Sequence, residues 1–469
     1  MTEPSYLIQG LADYVATLRF ETLSPRAVEV AKQCVLDAYG NMVYGRYCEI
    51  ANAILQYLET TQTEPLSEAK VAVLDAEGRM ADKQSAVFAH SMMARCADLD
   101  DGYRHAMGHP GSSLVPLSLS LAQLYGCNGK EMLTALVAGY DIYARLGEAF
   151  NPFMYRERGF DATGVCGAVA AAAIVGKMAG SSAEVIKNAM GLASLFAGGL
   201  IEYQNDGTSG KIFCGGWGAL SGMRAHALAT CGFTGPHAAL EGKQGFFQAF
   251  MGTSGHLNTQ QVLQNLRSDF KITSIYFKRH ACQRGLHALL DAVLDIRAEG
   301  ALTPAQVEAV DIHTTTFIQR LSNPEPKTAV GGQASAQFTA AVALKHGRMD
   351  SEHLMVESFE DPEVKELAGK VKVLHDKQVQ AYLGDNPTHF CSARVVLRTN
   401  DGRRFERWAP VPQGDIESPF GWDVLRLKFE RLIAGTPFAA SGEERFRFIA
   451  TLEQAESVGW LFQAELRSK

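Results

Sequence analysis

The sequence lacks the features that assign a chain to several large classes of protein. It has no basic tract, and its net charge of -7 with a pI near 6.0 argues against a nucleic-acid partner. It has no run of about 18 or more apolar residues, which excludes a transmembrane helix. The amino terminus, MTEPSYLIQG, has neither the basic residues nor the unbroken apolar stretch of a signal peptide. We therefore expect a soluble, cytoplasmic protein with no nucleic-acid and no membrane partner.

Metal and disulfide motifs are also missing. The nine cysteines include no C-x-x-C pair, so the ligand spacing of a zinc ribbon is absent. No HExxH or EF-hand spacing occurs either. Because the cysteine count is odd and the chain is long, we expect reduced thiols rather than a disulfide framework.

The sequence does contain enough apolar residues for a large core. Of its 469 residues, 46% are hydrophobic and 20% are charged, which is typical of a globular protein of two or three domains. Segments with helical apolar spacing, separated by short polar loops, fill residues 5–150. Alanine and glycine dominate residues 162–200 and 212–230, which predicts central helices that pack closely.

The pattern changes after about residue 270. The β-branched run 307–317 predicts a strand, and 371–374 and 393–398 predict two more. Asn400-Asp401-Gly402 is typical of a tight turn, so we predict a hairpin into 404–408.

These patterns together predict a mainly α protein of two domains. The tail from 421 to 467 returns to helical spacing. We therefore predict a large all-α helical domain formed from both chain ends, residues 1–271 and 409–469. A smaller α+β lid domain, residues 272–408, is inserted between them.

The densest group of titratable side chains lies at residues 98–113, DLDDGYRHAMGHPGSS. Crowded acids and bases shift each other's pKa, and catalytic acids and bases depend on such shifts. Asp98, Asp101 and His105 have the spacing i, i+3 and i+7, which predicts one face of a helix. The alternative interpretation is a capped helix pair with solvated aspartates.

His109 is predicted to lie on a loop inside this group. Pro110 disfavours helical backbone at His109, so the helix is expected to end before it, with Ser112 or Ser113 capping the next helix. A histidine beside a carboxylate such as Asp98 forms a proton-transfer pair. A metal site of Asp and His is an alternative that the missing motifs disfavour.

Lys211 follows Gly-Thr-Ser-Gly and opens an apolar helix. A lysine at a helix amino terminus opposes the helix dipole, whereas an anion bound there is favoured by both the ammonium and the free N–H groups. A P-loop is excluded because Asn205 and Ile212 stand where the motif needs Gly and Ser or Thr. The alternatives are a carboxylate- or phosphate-binding lysine and an exposed surface lysine.

Lys278-Arg279-His280 places three cationic side chains in a row near the predicted domain junction. Such a group can bind carboxylates, and arginine can do so with two hydrogen bonds. The alternative is an exposed basic turn. Cys282 follows without a Cys-His nucleophile pattern, so we interpret it as a small buried residue.

Taken together, the motifs resemble the MmgE/PrpD family of methylcitrate dehydratases, aconitate decarboxylases and iminodisuccinate epimerases, over nearly the whole chain. The motifs that carry the resemblance are HSMMARCADLDD at 90–101, GHPGSSLVP at 108–116, AGYDIYARLG at 138–147, GFDATGVCGAVAAAA at 159–173, DGTSGK at 206–211, GFTGP at 232–236, LEG at 240–242 and FKR at 277–279. The resemblance implies the two-domain architecture predicted above, a homodimer, and neither an organic cofactor nor a metal.

The resemblance also assigns site residues and shows where this chain departs from its relatives. Asp98, His109, Lys211 and Lys278 match positions that line the active site, and Tyr103 and His105 are expected to face the pocket. Four positions differ from the usual residue. They are Gly102 for Thr or Ser, Asp161 for His, Phe338 for Tyr, and Gln283 near the place of a second His. The resemblance therefore implies retained carboxylate-binding groups and altered proton-handling groups.

The resulting prediction is a cofactor-independent hydro-lyase for a small di- or tricarboxylic acid, which abstracts an α-proton and eliminates water. The candidate catalytic residues are Asp98, His109, Tyr103, His105 and Asp161. The candidate substrate-binding residues are Lys211, Lys278, Arg279 and Gln283. The alternatives are an epimerase of an iminodisuccinate-like dicarboxylate, a decarboxylase of an aconitate-like acid, and a non-catalytic protein that binds small acids.

Overall fold

A computed structural model describes residues 6–61, 70–252 and 259–464. The chain is mainly helical, with a four-stranded mixed sheet in its C-terminal part, which confirms the predicted mainly α class. A short hairpin of β1 (Lys70–Ala72) and β2 (Met80–Asp82) interrupts a region predicted to be helices and loops alone. No helix in these ranges is both long and apolar enough to cross a membrane.

The longest helices lie in the N-terminal half. These helices are α1 (Leu7–Thr17), α2 (Pro25–Tyr47), α3 (Ala51–Thr61), α4 (Lys83–Arg95), α5 (Gly111–Tyr125), α6 (Gly129–Phe150), α7 (Phe153–Arg158), α8 (Ala162–Met178), α9 (Ala183–Phe196), α10 (Tyr203–Asp206), α11 (Phe213–Thr230) and α12 (Phe246–Met251). Local signals begin several of them: the Ser24 hydroxyl caps α2, whose first residue is Pro25.

The C-terminal half contains shorter helices around the sheet. The helices are α13 (His287–Glu299), α14 (Thr316–Gln319), α15 (Ala329–Gln333), α16 (Ala336–His346), α17 (Val356–Glu360), α18 (Pro362–Gly369), α19 (Lys377–Asp385), α20 (Trp422–Ile433) and α21 (Gly442–Ala450). The strands are β3 (Val307–Thr314), β4 (Val371–His375), β5 (Ala393–Thr399) and β6 (Arg404–Ala409). Their order is β4-β3-β5-β6, with β4 parallel to β3 and the other pairs antiparallel. The predicted strands and the β5–β6 hairpin are confirmed.

The small residues of α8 and α11 let these two helices approach closely, as the composition predicts. A Cβ on Gly222 of α11 would lie 2.5 Å from the Cβ of Ala171 and 2.5 Å from the backbone nitrogen of Ala172 on α8. Such distances are too short for carbon, so only glycine fits at this crossing. The carboxyl group of Asp161 accepts a hydrogen bond from the Thr163 N–H and caps α8.

Buried apolar side chains form two main cores. The larger core draws on residues 8–277 and on residues 420–462. The second draws mainly on residues 281–397, and it also includes Ala97 and Leu99. Asp98 therefore lies where the chain leaves one core and enters the other. The predicted domain boundaries after residues 271 and 408 stay predictions.

The prediction of a helix through residues 98–105 is wrong. The helix α4 ends at Arg95, and the chain continues as an irregular buried loop in which Asp98 has φ 52°. Gly102 explains part of this, because its N–H and carbonyl pair with the carbonyl and N–H of Tyr276, both at 3.0 Å. These long-range hydrogen bonds satisfy backbone groups that a helix would otherwise use.

The predicted cap of the next helix is also wrong. No side chain of α5 caps it; instead, the Gly111 N–H donates to the Asp101 carboxylate at 2.8 Å. Ser112 and Ser113 lie inside the first turn of α5. The prediction that His109 lies on the loop before this helix is confirmed.

Candidate active site

The centre of the candidate site is an aspartate held between two lysines. The Nζ atom of Lys278 lies 2.6 Å from Oδ1 of Asp98, and the Nζ atom of Lys211 lies 2.6 Å from Oδ2. All three side chains are buried. The positive φ of Asp98 is unusual for a residue with a side chain, although aspartate tolerates it better than most.

Three separate segments bring these charges together. Asp98 follows α4, Lys211 lies in the short 3-10 helix Ser209–Ile212 that leads into α11, and Lys278 lies on an irregular stretch between the two cores. Lys278 also donates to the backbone carbonyl of Asp98 at 3.0 Å. Lys211 donates to the side-chain oxygen of Gln333 at 2.9 Å.

The pKa values within this trio follow from burial and from neighbouring charge. Burial alone would raise the pKa of Asp98, but the attraction of Lys211, Lys278 and Arg95 outweighs it and holds that pKa well below its usual range. Burial lowers the pKa of Lys211 to about 8, despite the attraction of Asp98. Asp98 is therefore a carboxylate at neutral pH and a weak base.

His109 is fixed in one tautomer. Its Nδ1 atom lies 2.7 Å from the backbone carbonyl of Asp101, and a carbonyl can only accept, so Nδ1 carries the proton. The nearest carboxylate to Nδ1 is that of Asp100, at 3.7 Å, rather than that of Asp98. The other ring nitrogen, Nε2, is left with a free lone pair.

Burial and nearby cations keep His109 neutral. Burial, together with Arg95 and Lys278, lowers the pKa of His109 well below its usual value. Arg95 itself is buried and donates to both carboxylate oxygens of Asp100, at 2.9 and 2.7 Å. A neutral imidazole with a free Nε2 is the form that a general base requires.

These groups line a small inner pocket of about 50 Å³. Its charged lining residues comprise four cations and two carboxylates, namely Arg95, Lys211, Lys278, Arg284, Asp98 and Asp161. Its apolar lining, called the apolar wall below, consists of Met107, Phe317, Val330, Ala334 and Phe390. A pocket with excess positive charge and one apolar wall suits a small polycarboxylate.

Asp161 and Gln283 both line the inner pocket. The carboxylate of Asp161 accepts from the Tyr203 hydroxyl at 2.8 Å as well as capping α8. The side-chain oxygen of Gln283 accepts from the Gly285 N–H at 2.7 Å. The Asp161 carboxylate thus already accepts hydrogen bonds from two donors, as expected of a residue that orients other groups in the pocket.

Tyr276 occupies the space that Gly102 leaves open. A Cβ on residue 102 would overlap the Tyr276 hydroxyl and ring. The Tyr276 ring meets the His109 ring edge-on, with 6.4 Å between centroids, and the guanidinium of Arg284 lies 4.2 Å above it. Burial raises the pKa of Tyr276 well above its usual value, although Arg284 opposes this, so the hydroxyl stays protonated.

Three of the predicted site residues lie elsewhere. The Tyr103 hydroxyl donates to Glu148, and His105 lines a second, outer cavity. Arg279 pairs with Asp291 and Gln413 in a different groove. The structure therefore does not bring these three side chains to Asp98.

Phe338, one of the positions at which the chain departs from its relatives, also lies away from the inner pocket. Its ring packs against Phe359 with centroids 5.0 Å apart. Phe338 and Phe359 line a cavity that is separate from the inner pocket. In the described ranges no group of three or more His, Cys, Asp or Glu side chains could hold a metal ion.

Sequence reasoning did not assign a role to six polar residues of the inner pocket. They are Arg95, Tyr155, Tyr203, Gln204, Tyr276 and Arg284. A sequence signal could have identified two of them, because Tyr276 and Arg284 flank the basic stretch that begins at Lys278. Tyr155 and Tyr203 have no such signal, since each lies on a short helix whose packing alone turns it towards the pocket.

Comparisons with known proteins cover most of the chain. A profile described as MmgE/PrpD N-terminal domain matches residues 9–257, and one described as MmgE/PrpD C-terminal domain matches residues 280–454. The chain is 27% identical over 447 residues to "Cis-aconitate decarboxylase-like protein oryM" of Aspergillus oryzae, covering 90% of this chain and 89% of that relative.

Two further relatives carry different names. The chain is 24% identical over 438 residues to "Cis-aconitate decarboxylase" of Mus musculus, covering 90% of this chain and 85% of the relative. It is 25% identical over 426 residues to "2-methylcitrate dehydratase" of Escherichia coli K12, covering 85% of this chain and 83% of the relative. The names of these relatives therefore divide between two reactions of small carboxylic acids.

Proposed function

The chain belongs to the MmgE/PrpD family, and from this premise we propose that it is a lyase acting on a small di- or tricarboxylic acid. The first candidate reaction is removal of an α-proton followed by elimination of water from the β carbon. The observation that carries the proposal is the free Nε2 of neutral His109 in a pocket with Lys211 and Lys278.

The two lysines are the proposed carboxylate-binding groups. An ammonium has three N–H donors. Lys211 uses one towards Asp98 and one towards Gln333, and Lys278 uses two towards Asp98. Each lysine thus keeps one N–H for a substrate carboxylate. Asp98 holds the ammonium groups in place, and its low pKa makes it a poorer base than His109.

His109 is the proposed base, with its ring oriented by Asp101 rather than by Asp98. Its Nε2 atom takes the α-proton, and the electrons of the C–H bond shift towards the carboxylate that the lysines bind. In the free protein, Arg95 and Lys278 oppose protonation of His109. An anionic substrate bound beside these cations adds negative charge, which raises the proton affinity of His109.

Tyr276 is the proposed acid. Its hydroxyl has no hydrogen-bond partner among the described side chains, and Tyr276 lines the same pocket as His109. When the β C–O bond breaks, the Tyr276 proton joins the departing hydroxide to form water, and the C=C bond forms from the electrons of the α C–H bond. The Arg284 guanidinium at 4.2 Å from the ring stabilises the tyrosinate until it is reprotonated.

Decarboxylation is the second candidate. Two relatives with 27% and 24% identity are named as cis-aconitate decarboxylases or like them. The apolar wall that includes Met107 and Phe390 offers a leaving carboxylate no hydrogen bond, which favours its departure as neutral CO2.

One experiment separates these reactions. Hydroxy- and unsaturated di- and tricarboxylates are incubated with the enzyme in deuterated water and followed by proton NMR. We expect loss of water with deuterium entry at one carbon; release of CO2 would favour the second candidate, and isomerisation alone an epimerase. His109→Gln should slow turnover by at least about two orders of magnitude, and His226→Gln, outside the pocket, should not. Binding without any turnover or deuterium exchange would contradict the proposal and favour a binding protein.

The homodimer expected from the resemblance stays part of the proposal. Large apolar side chains of α9, α11 and the loop after α11 are exposed, with Leu195 at 64%, Trp217 at 44% and Phe233 at 58% exposure. Burying such side chains against a second copy would be favourable. Light scattering on the purified chain tests this directly: a monomer at micromolar concentration would contradict it.

A further inference from the structure

A larger outer cavity adjoins the inner pocket. It has a volume of about 480 Å³, and Met107 and Phe390 line both spaces. These two side chains therefore form the partition between the outer cavity and the trio of Asp98, Lys211 and Lys278. Nothing in the proposed chemistry uses the outer cavity.

The inner pocket is much smaller than the outer cavity, at about 50 Å³ against about 480 Å³. For a tricarboxylate that places its reacting carbons beside His109, the outer cavity is therefore the adjacent space for an arm that passes the partition.

Arg156 is the cation of the outer cavity that has no anionic partner among the described residues. Its Nε and Nη2 atoms are buried and make no hydrogen bond. Its guanidinium lies 5.4 Å from the ring centre of Phe317 and 5.7 Å from that of Phe390. Both rings also line the inner pocket, so Arg156 stands directly behind the apolar wall.

The other strong cations of this cavity are already paired. Arg104 donates to both carboxylate oxygens of Glu417, at 3.0 and 2.9 Å. Lys271 lies 3.2 Å from Glu148 and 3.0 Å from Asp269. Burial lowers the pKa of Arg156, as expected for a guanidinium whose surroundings do not compensate its charge.

We propose that Arg156 binds a third carboxylate, carried on an arm of the substrate that passes between Met107 and Phe390. This inference rests on the proposed function and narrows it. The lysines bind the carboxylates next to the reacting carbons, and Arg156 selects tricarboxylates over dicarboxylates. Arginine suits this task because its planar N–H groups match a carboxylate with two hydrogen bonds.

The stacking on Phe317 and Phe390 offers an alternative role, in which Arg156 only joins the two parts of the chain through cation–π contacts. That role would affect stability and all ligands alike. Selection by Arg156 would instead affect only ligands that carry the third carboxylate. The two roles are therefore distinguished by the ratio of the affinities for a tricarboxylate and a dicarboxylate, and not by either affinity alone.

The test measures binding of two acids that have no hydroxyl to lose. Propane-1,2,3-tricarboxylate and methylsuccinate differ by one terminal carboxylate, and their dissociation constants are measured by calorimetry on the full chain. We expect the wild type to bind the tricarboxylate about tenfold or more tightly than the dicarboxylate. Arg156→Gln should reduce this ratio to about twofold and leave the affinity for methylsuccinate unchanged.

Arg158→Gln is the matched control, because Arg158 lies on the same helix and is exposed. Arg158→Gln should keep the wild-type ratio of affinities. Arg156→Lys keeps the positive charge but not the planar N–H groups of arginine, and it should give an intermediate ratio. An unchanged ratio in Arg156→Gln, an equal loss for both acids, or no preference in the wild type would overturn the proposal. Because the readout needs no turnover, a missing lyase activity and a missing Arg156 site are distinguished.

Discussion

Gly102 and Tyr276 exchange both of their backbone hydrogen bonds, each N–H donating to the other's carbonyl at 3.0 Å. The missing side chain at residue 102 is what lets the Tyr276 ring lie against the loop. Compared with its relatives position by position, the chain has Gly102 where a Ser or Thr is usual. In the folded chain the hydroxyl and ring of Tyr276 fill the space beside residue 102, and Tyr276 lines the inner pocket.

Tyr276→Phe should lower kcat by about 10²- to 10⁴-fold and change KM little, because the ring and its contacts remain while the proposed proton donor is removed. Steady-state kinetics on the substrate found by NMR measures this. Tyr125→Phe, on an exposed tyrosine, is the control. A kcat within twofold of the wild type would exclude Tyr276 as the acid.

Gly102→Ser should reduce both stability and kcat, since its Cβ overlaps the Tyr276 ring. Overpacking of this kind costs about 1–3 kcal/mol of unfolding free energy, measured by urea denaturation. In a Tyr276→Ala background Gly102→Ser should cost less unfolding free energy, because the overlapping ring is absent. An equal cost in both backgrounds would mean that the loop relaxes in another way.

Asp98→Asn should destabilise the chain by about 3–5 kcal/mol, because it leaves Lys211 and Lys278 buried without their shared counter-ion. Asp206→Asn is the control, since Asp206 is exposed. Chemical denaturation measures the difference. A loss below about 1 kcal/mol would show that water or another carboxylate replaces Asp98.

Substrate binding should weaken as the pH rises through about 8, because Lys211 loses its proton near its lowered pKa of about 8. Below that pH the ammonium is present and attracts a carboxylate; above it the amine is neutral and does not. KM measured from pH 6 to 10 should therefore rise on the alkaline side. Lys211→Arg, which stays charged, should remove this rise; a rise of the same size in that variant would assign it to another group.

Gly222→Ala should destabilise the chain by about 1–3 kcal/mol, because the new Cβ meets α8 at 2.5 Å. Gly384→Ala is the matched control within helix α19, since a Cβ there meets nothing within 4 Å. The control should be neutral or stabilising by up to about 1 kcal/mol, from helix propensity. Thermal or urea unfolding of both variants checks the contrast.

Much of the fold was predictable because its signals are local. The apolar spacing of α6, the small residues of α8 and α11, and the turn after β5 each depend on neighbours within a few positions. The candidate site was predicted in part for the same reason: Asp98, His109, Lys211 and Lys278 stand in recognisable motifs. Asp161 and Gln283, two positions at which the chain departs from its relatives, also line the inner pocket.

Two of the errors have the same physical cause. The spacing predicts a helix in the loop after Arg95, but the backbone of this loop pairs with Tyr276 and its Asp98 carboxylate pairs with two lysines more than a hundred positions away. In the basic stretch, Arg279 turns towards Asp291, while Arg284 reaches the pocket. The residues next to Arg279 and Arg284 in the sequence do not determine which of these two side chains reaches the pocket.

The sequence by itself determined the helical class, the strands of the sheet and the family, because periodicity and motifs are read along the chain. Only the tertiary structure decided which charged side chains share the pocket. It also decided that Asp98 neutralises both lysines, that His109 presents Nε2, and that Arg156 lies behind the apolar wall. These relations depend on burial and on contacts between distant segments, which bring together groups that no local pattern connects.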